Sequence, residues 1–245
     1  MSNCDFSYKH YEETLLTFKN NYSFSNFYNH SNNDIILRHD IDYSLESALA
    51  IAEIEHRIGV SSTFFLLFHS EMYNIFSPTS VSIISRILEL GHYIGLHYDS
   101  TVLLSLNANP GKILREELAI LEEHFGTKTN VVSAHNPTLN DGIEIPQNII
   151  NAYDPEFTQD RKYLSDSVQF WRENCFCTHV NKHKKLQILT HPIWWSEKNT
   201  GRNYIMDELV GGSLDPHMRH IEKYSSVYDS YIEKESTKRD NFQTQ

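Results

Sequence analysis

Short apolar segments alternate regularly with longer amphipathic segments, and this alternation constrains the fold of the chain more than any other feature. The segment Ile35–Leu37 is wholly apolar and ends in charged residues, as a parallel strand does when both its faces are buried and its carboxyl end reaches a site. Ser44 is a predicted helix N-cap, and an apolar helical stripe follows it up to Gly59. Together these segments predict a first βα unit.

The same alternation recurs along the rest of the chain. The other predicted helices are residues 7–20, Pro78–Leu90 and Pro110–Phe125, and the other predicted strands are Thr63–Phe68, Tyr93–His97, Val131–Ala134, Ile149–Tyr153, Tyr163–Ser165 and Leu186–Thr190. Seven or eight strands with interleaved helices predict an α/β fold that is either a barrel or a doubly wound sheet. No GxGxxG or GxxxxGK(S/T) pattern follows the first strand, so nothing supports a dinucleotide-binding or P-loop fold.

Length and composition favour one catalytic domain. A chain of 245 residues suits a single α/β barrel, and 40% hydrophobic and 22% charged residues are typical of a globular protein. We therefore predict one domain over residues 1–233 and a polar, disordered tail over residues 234–245. The net charge of -11 argues against nucleic acid or anionic lipid as the main partner.

The sequence predicts a cytoplasmic protein. No segment approaches the roughly 18 to 20 apolar residues that a membrane-spanning helix needs, and the opening residues have no apolar core of a secretory signal. Cys4, Cys175 and Cys177 are an odd number of cysteines, at spacings that match neither a disulfide framework nor a zinc pair. We predict that they are reduced thiols without a catalytic role.

Charged residues gather at the end of the first predicted strand, in the segment Arg38-His39-Asp40-Ile41-Asp42. In extended chain, residues two apart share a face, so Arg38, Asp40 and Asp42 should point one way and His39 the other. Two carboxylates this close favour one acting as a metal ligand and its neighbour as a base. The alternative is that the two aspartates only cap the helix that begins at Ser44.

Each of three further predicted strands has a histidine at its end or directly after it. His97 ends its strand with Asp99 two residues on, whereas His92 lies at the entry of the same strand, away from the site. His135 and His191 each stand just before a proline-enforced turn. Any one of these histidines alone is more simply read as a packed or solvated residue. Four strand ends that carry carboxylates and imidazoles together favour a hydrolytic metal site, because zinc and related ions take these ligands.

Aromatic residues directly follow the last of these histidines. Trp194 and Trp195 are predicted either to form a platform for the apolar faces of a sugar or to pack in the core. The run Lys182–Lys185 is read as a solvated turn rather than as a phosphate site.

In their order along the chain, these motifs resemble those of the polysaccharide deacetylase superfamily, the NodB-like enzymes that include carbohydrate esterase family 4. The matching segments are Arg38–Asp42, Gly91–His97, Ser133–Pro137 and Leu189–His191, within residues 34–195. The first motif is similar to that of a His-Asp-x-Asp branch associated with the synthesis of surface polysaccharide or lipopolysaccharide. The resemblance implies a distorted (β/α)7 barrel, here with an extra N-terminal helix, and metal-dependent removal of an N-acetyl group from a sugar.

The resemblance also implies roles for individual residues. Asp40 matches the general base, Asp42 and His97 match metal ligands, and His191 matches the general acid. The second histidine of the family's metal pair falls on Thr101, and we predict that His135 supplies the missing ligand instead. Zinc is the predicted ion.

Further positions are assigned around these groups. Asp166, in a faint fourth motif that includes Trp171, is one candidate for orienting His191, and Asp99 is the other. Arg38 either keeps Asp40 ionised or binds an anionic substrate group. The predicted substrate contacts are Arg38, Asp99, Asn136, Trp194 and Trp195.

Three functions remain open at this point. The first is a metal-dependent sugar N-deacetylase that acts on a glycan precursor in the cytoplasm. The second keeps the fold and the metal but hydrolyses another amide or formamide. The third is a sugar-binding relative that has lost activity, which the threonine at position 101 suggests.

Overall fold

The computed structural model describes residues 4–137 and 143–211. The chain divides into two compact units, residues 1–202 and residues 203–245. The first unit holds the sheet and the site, and residues 202–211 are helical. The domain boundary predicted at residue 233 and the predicted tail lie outside the described residues.

An all-parallel sheet of eight strands forms the centre of the first unit. The strands are β1 (Ser23–Ser25), β2 (Asp34–Ile41), β3 (Thr63–Leu67), β4 (Tyr93–Asp99), β5 (Val131–His135), β6 (Ile150–Asn151), β7 (Lys162–Ser165) and β8 (Leu186–Thr190). Seven of them follow the order β6-β5-β4-β3-β2-β8-β7, and the short β1 pairs with the start of β2. The carboxyl ends of these parallel strands therefore lie along the same edge of the sheet.

The sheet curls so that its two edge strands, β6 and β7, approach each other. Gln187 on β8 donates hydrogen bonds of 3.2 and 3.1 Å to the carbonyl oxygens of Ala152 and Phe157, which follow β6 in the chain. The rings of Tyr153 and Tyr163, one beyond β6 and one on β7, lie 6.1 Å apart. A flat sheet could not bring opposite ends of the strand order into contact. The predicted distorted (β/α)7 barrel with an extra N-terminal helix is therefore confirmed.

Helices cover the outside of the curled sheet. They are α1 (Tyr8–Lys19), α2 (Leu45–Arg57), α3 (Pro78–Glu89), α4 (Ser100–Ser105), α5 (Pro110–Phe125) and α6 (Pro155–Thr158). The side chain of Ser44 accepts a hydrogen bond from the backbone N–H of Ser47, as predicted, and Ser7 and Ser77 cap α1 and α3 in the same way. The described helices include none that is long and apolar enough to cross a bilayer.

The alternation of side chains along β2 separates the interior of the barrel from the layer under the helices. All eight residues of this strand are buried. Ile36 faces a core that includes Phe27, Phe65 and Val131, and Arg38 and Asp40 follow on the same face. His39 lies on the opposite face, where its Nδ1 is 2.7 Å from the Thr190 hydroxyl. The predicted split between the two faces is confirmed, and the inner face leads to the site.

Candidate active site

A cleft of about 400 Å³ lies at the carboxyl ends of the strands. Its volume is within the range of small-molecule sites. Six predicted site residues line it: Asp40, Asp42, His97, His135, Asn136 and His191. The other lining residues are Ala134, Pro137, Tyr153, Tyr163, Leu164, Ser165, Ser167, Val168, Trp171, Arg172, Glu173 and Leu189.

The three predicted metal ligands converge as a trio at one point of this cleft. Asp42 Oδ1 lies 3.1 Å from His97 Nε2 and 3.2 Å from His135 Nδ1, and the two histidine nitrogens are 3.3 Å apart. His97 lies two residues before the end of β4, His135 ends the neighbouring β5, and Asp42 directly follows β2. These atoms all lie within 4.8 Å of one another, so one cation could reach all three.

The hydrogen bonding of His97 fits a metal ligand. Its Nδ1 donates to the carbonyl oxygen of Ser133 at 3.0 Å, and because a carbonyl can only accept, Nδ1 carries a proton. In the neutral ring, Nε2 then presents a lone pair toward Asp42 and His135. A carboxylate oxygen and two imidazole nitrogens this close repel one another unless a proton or a cation lies between them. The donor set is one that zinc accepts, so the residues present fit a divalent ion.

Contacts with the two histidines also shift the pKa of Asp42. Burial alone would raise the pKa of the Asp42 carboxyl, but the hydrogen bonds that His135 and His97 donate when they are protonated outweigh burial and hold that pKa well below its usual range. The hydrogen bond to Asp42 raises the pKa of His135, although burial opposes it.

Asp40 lies beside the trio, and only one of its two carboxylate oxygens accepts hydrogen bonds from the described residues. Its Oδ2 accepts hydrogen bonds from Arg38 Nη2 at 3.2 Å and from Ser133 Oγ at 3.0 Å. Its Oδ1 is buried and makes no hydrogen bond within residues 4–137 and 143–211. A carboxylate with one oxygen anchored and the other left without a donor can accept a proton from a bound reactant.

Arg38 lies beneath Asp40 and is fully buried. Its guanidinium carbon is 4.5 Å from the centre of the Tyr153 ring and 6.0 Å from that of Tyr163. Burial alone would lower the pKa of Arg38, but the charge of Asp40 and the neighbouring tyrosines raise it, so the arginine stays charged. Arg38 is not among the residues that line the cleft, and this position favours pairing with Asp40 over contact with substrate.

His191 directly follows β8 and also lies close to Asp42. Its Nε2 lies 3.9 Å from Asp42 Oδ2, and its Nδ1 donates to Asp166 Oδ1 at 2.7 Å. Asp166 also accepts from Trp195 Nε1 at 2.9 Å. Burial alone would lower the pKa of His191, but the hydrogen bond and charge of Asp166, with Asp42 and Asp40 nearby, raise it to about 9. Of the two aspartates considered for orienting His191, the structure brings Asp166 to it.

Asp99 and Thr101 form hydrogen bonds with each other, and neither residue is part of the trio. Asp99 Oδ1 accepts from the backbone N–H of Thr101 at 2.8 Å and from its hydroxyl at 2.6 Å, which caps α4. Neither side chain lines the cleft. The position at which the family motif has a second histidine is therefore part of a short helix, and His135, which pairs with Asp99 in the register of β4 and β5, lies beside His97 instead.

The two tryptophans after His191 are buried, which corrects the expectation of a sugar platform. Trp194 is 4% exposed and Trp195 is 1% exposed, and neither lines the cleft. The Trp195 ring packs against Tyr11 and Phe176. The apolar faces of these rings are covered by protein, so the core-packing alternative is the one that the structure supports.

Sequence patterns did not identify several of the other residues that line the cleft. Tyr153 and Tyr163 belong to predicted strands, but only the curl of the sheet brings them together over Arg38. Val168 lines the cleft with a φ of 54°, an uncommon backbone conformation for a β-branched residue, and it is 59% exposed. Asn136, a predicted substrate contact, does line the cleft and also has a positive φ, of 51°.

No family model matches the chain, and no curated protein matches it. Solved structures resemble it at low identity. Peptidoglycan deacetylase PdaC from Bacillus subtilis, in a mutant form, is 16% identical over 75% of this chain and 86% of that chain, with a TM-score of 0.46. A family 4 acetyl xylan esterase from Clostridium thermocellum with a cobalt ion is 14% identical over 74% and 84%, with a TM-score of 0.42. The chitin deacetylase of Colletotrichum lindemuthianum is 16% identical over 73% and 81%, with a TM-score of 0.43.

Proposed function

We propose that this protein is a metal-dependent hydrolase that removes an N-acetyl group, or a similar N-acyl group, from a sugar. One observation carries the proposal: a metal-ligand trio, Asp42, His97 and His135, lies in one cleft with the carboxylate Asp40 and the histidine His191. Hydrolysis of an amide needs a group that takes a proton from water and a group that gives a proton to the leaving nitrogen.

Asp40 is the proposed general base. Arg38 and Ser133 hold its Oδ2, and its Oδ1 is left to take the proton of the attacking water. Arg38 carries a fixed charge, and its hydrogen bond to Oδ2 orients the carboxylate so that Oδ1 is left for the water.

His191 is the proposed general acid. It must be protonated to donate to the departing amine, and Asp166 favours that form while fixing the ring through Nδ1. Nε2 is then the atom that delivers the proton into the cleft, because Nδ1 is already bonded to Asp166. Asp166 acts through His191 and is a positioning residue.

Asp42, His97 and His135 are the proposed ligands of the divalent ion, for which we propose zinc. Such an ion, when bound, would polarise the amide carbonyl and lower the pKa of water toward about 7.

The proposal that the substrate is a sugar rests on the sequence motifs rather than on the geometry of the site. The order of the Asp-x-Asp, His97, His135 and His191 motifs resembles that of the NodB-like deacetylases. With the sequence-based expectation of a cytoplasmic protein, this resemblance favours an N-acetylated precursor of surface polysaccharide as substrate. Asn136 and the aromatic residues Tyr153 and Tyr163 line the cleft where the sugar would lie.

Acetate release tests the proposal. The purified chain, loaded with zinc, is incubated with free, nucleotide-linked and lipid-linked N-acetylated sugars, and both acetate and free amine are measured. We expect equal amounts of the two products, their loss after chelation, and their return when zinc is added back. Release of formate or of another acid from a non-sugar amide would move the function to the second class of substrate. Sugar binding without any product from the zinc-loaded chain would overturn the enzymatic proposal.

A further inference from the structure

A second group of metal-ligating side chains lies outside the cleft. Cys4, His10, Cys175 and Cys177 each offer one ligand atom, and these four atoms lie within 4.8 Å of one another. Cys4 Sγ is 3.3 Å from Cys177 Sγ, and His10 Nε2 is 3.2 Å from Cys175 Sγ. None of the four lines the cleft or belongs to the trio described above.

The fold brings these residues together from two distant segments. Cys4 precedes α1, and His10 lies in the first turn of that helix, which Ser7 caps. Backbone hydrogen bonds between Phe6 and Ser196 and between Tyr8 and Ser196 hold this segment against the barrel. The two remaining cysteines flank Phe176: Cys175 directly precedes the 3-10 turn Phe176–His179, and Cys177 lies within it.

The packing around Phe176 fixes the direction of this turn. Phe176 is fully buried and contacts Tyr11 and Phe18 of α1, and Trp171 stacks on it at 5.1 Å with an angle of 13°. With this ring anchored between α1 and Trp171, the cysteines on either side of it are brought to His10. The position of Cys175 and Cys177 beside α1 therefore follows from aromatic packing that does not depend on the cysteines, and the backbone hydrogen bonds to Ser196 hold the segment that carries Cys4.

We propose that Cys4, His10, Cys175 and Cys177 form a second metal site, which binds zinc. Three sulfurs and one imidazole are the donor set of structural zinc sites, in which four protein ligands close the coordination sphere. Soft sulfur ligands also disfavour magnesium and calcium. His10 and Cys175 are buried, while Cys4 is exposed and gives the ion a route of entry.

The site would act as a structural clamp. Four protein ligands leave no open position for a substrate, so its role is to join the N-terminal segment to the turn that follows Trp171. Trp171 lines the cleft, and the clamp would therefore also stabilise one wall of the proposed active site. This inference does not depend on the proposed function, because the two sites share no ligand.

Cobalt substitution separates the two sites by spectroscopy. The whole chain is purified under reducing conditions as Asp42→Asn, which removes a ligand of the cleft, and Co²⁺ is added. We expect intense near-ultraviolet bands of sulfur-to-cobalt charge transfer and the visible bands of a tetrahedral ion. X-ray absorption of the zinc form should show sulfur at about 2.3 Å and nitrogen at about 2.0–2.1 Å.

Substitution of the cysteines tests which residues bind. Cys4→Ser is informative because this side chain is exposed, so the fold should survive, and the bands should be lost or strongly weakened. Cys177→Ser should have the same effect, and His124→Ala, at an exposed histidine of α5, should have none. Circular dichroism of each variant shows whether it has folded.

Two results would overturn the proposal. One is a folded, reduced Asp42→Asn chain that shows no thiolate bands with Co²⁺ and holds no zinc. The other is a Cys4–Cys177 disulfide that forms in the chain purified without reductant and remains under mild reduction, detected as a loss of two titratable thiols. Neither result bears on acetate release, and failure of acetate release does not bear on these bands.

Discussion

Two carboxylates two residues apart have different neighbours here, and we propose different roles for them on that ground. Asp42 contacts two imidazoles, whereas Asp40 contacts an arginine and a serine hydroxyl and keeps one oxygen without a donor among the described residues. The spacing of the two residues in the sequence predicted that they share a face. Which of them lies beside the histidines depends on β4 and β5, which the local sequence does not describe.

Asp40→Asn tests the role of the base. The amide keeps the shape of the side chain and can still accept from Ser133, so the variant should fold, but it cannot take a proton from water. We expect turnover to fall by roughly 10²- to 10⁴-fold. Asp154→Asn removes an exposed carboxylate outside the cleft and should keep full turnover. Near-normal turnover of Asp40→Asn in acetate release would assign the base to another group.

Asp166→Asn tests how His191 is kept protonated. A general acid loses activity as the pH rises through its pKa, and Asp166 contributes to the raised pKa of His191, about 9. Without that negative charge the pKa falls, so the alkaline limb of the kcat profile should move to lower pH. The same profile measured on Asp154→Asn should match that of the wild type. An alkaline limb that stays in place in Asp166→Asn would remove Asp166 from this role.

Single residues also show where prediction from the sequence failed. The sequence left Trp195 with two alternatives, and its burial against Tyr11 and Phe176 depends on α1, which is far away in the chain. The spacing of Cys4 and Cys175 matched no zinc motif, because here the ligands come from segments that only the tertiary fold brings together. Local spacing detects ligands on one turn or one strand, and it misses sites assembled from distant segments.

At the scale of elements, the strands were predicted well and the short connections were not. The predicted Leu186–Thr190 has the bounds of β8, and Val131–Ala134 is one residue shorter than β5. The elements β1, α4 and α6 were not predicted. All three are short, at three, six and four residues, and α4 is held by the Asp99 cap rather than by an amphipathic stripe.

Gly95 in β4 allows the neighbouring strands to pack inside the barrel below His97. A Cβ at this position would lie 2.6 Å from Phe65 Cε1 and 3.0 Å from Val131 Cγ1. Gly95→Ala should therefore lower the free energy of unfolding by about 1–3 kcal/mol through overpacking. At Gly201 a Cβ would meet nothing within 4 Å, and Gly201→Ala should change the free energy of unfolding by less than about 0.5 kcal/mol. Urea denaturation measures both, and equal stability of the two variants would contradict the packing described for β4.

At the scale of the whole molecule, a buried polar network behind the sheet joins α1, α2 and the central strands. Glu55 of α2 accepts hydrogen bonds from Tyr11, from His39 Nε2 at 2.9 Å and from Ser62 Oγ at 2.6 Å. His92 Nδ1 lies 3.5 Å from Glu55 Oε2, which agrees with the predicted position of His92 away from the site. Local sequence patterns do not indicate this network, because its members become neighbours only when the helices cover the sheet.

This network predicts loss of stability in acid. Burial alone would raise the pKa of Glu55, but His39, His92 and Ser62 outweigh it and lower that pKa below its ordinary value of 4.5. A carboxyl with a lowered folded-state pKa adds stability that is complete above its unfolded pKa and is lost as the pH falls toward the folded value. Burial also lowers the pKa of His92 below 6.5, so protonation in the unfolded state adds to the loss from that pH downward.

Glu55→Gln should lower the free energy of unfolding at neutral pH by about 1–3 kcal/mol, because charge-assisted hydrogen bonds are lost in the core. The substitution should also make the free energy of unfolding depend less on pH below about 4.5. Glu53→Gln, at an exposed position of the same helix, is the matched control and should do neither. Denaturant unfolding at several pH values measures the free energy of unfolding of each variant. Parallel pH curves for Glu55→Gln and wild type would contradict the role of Glu55 in the loss of stability in acid.

Anomalous diffraction from crystals soaked in zinc tests the central claim most directly, because it locates the ion without reference to any substrate. We predict a peak at the carboxyl ends of β2, β4 and β5, with the nitrogens of His97 and His135 and an oxygen of Asp42 at about 2.0–2.2 Å. Zinc-soaked crystals with no peak beside Asp42, even if the cysteine site were filled, would contradict the claim that this cleft holds a catalytic metal.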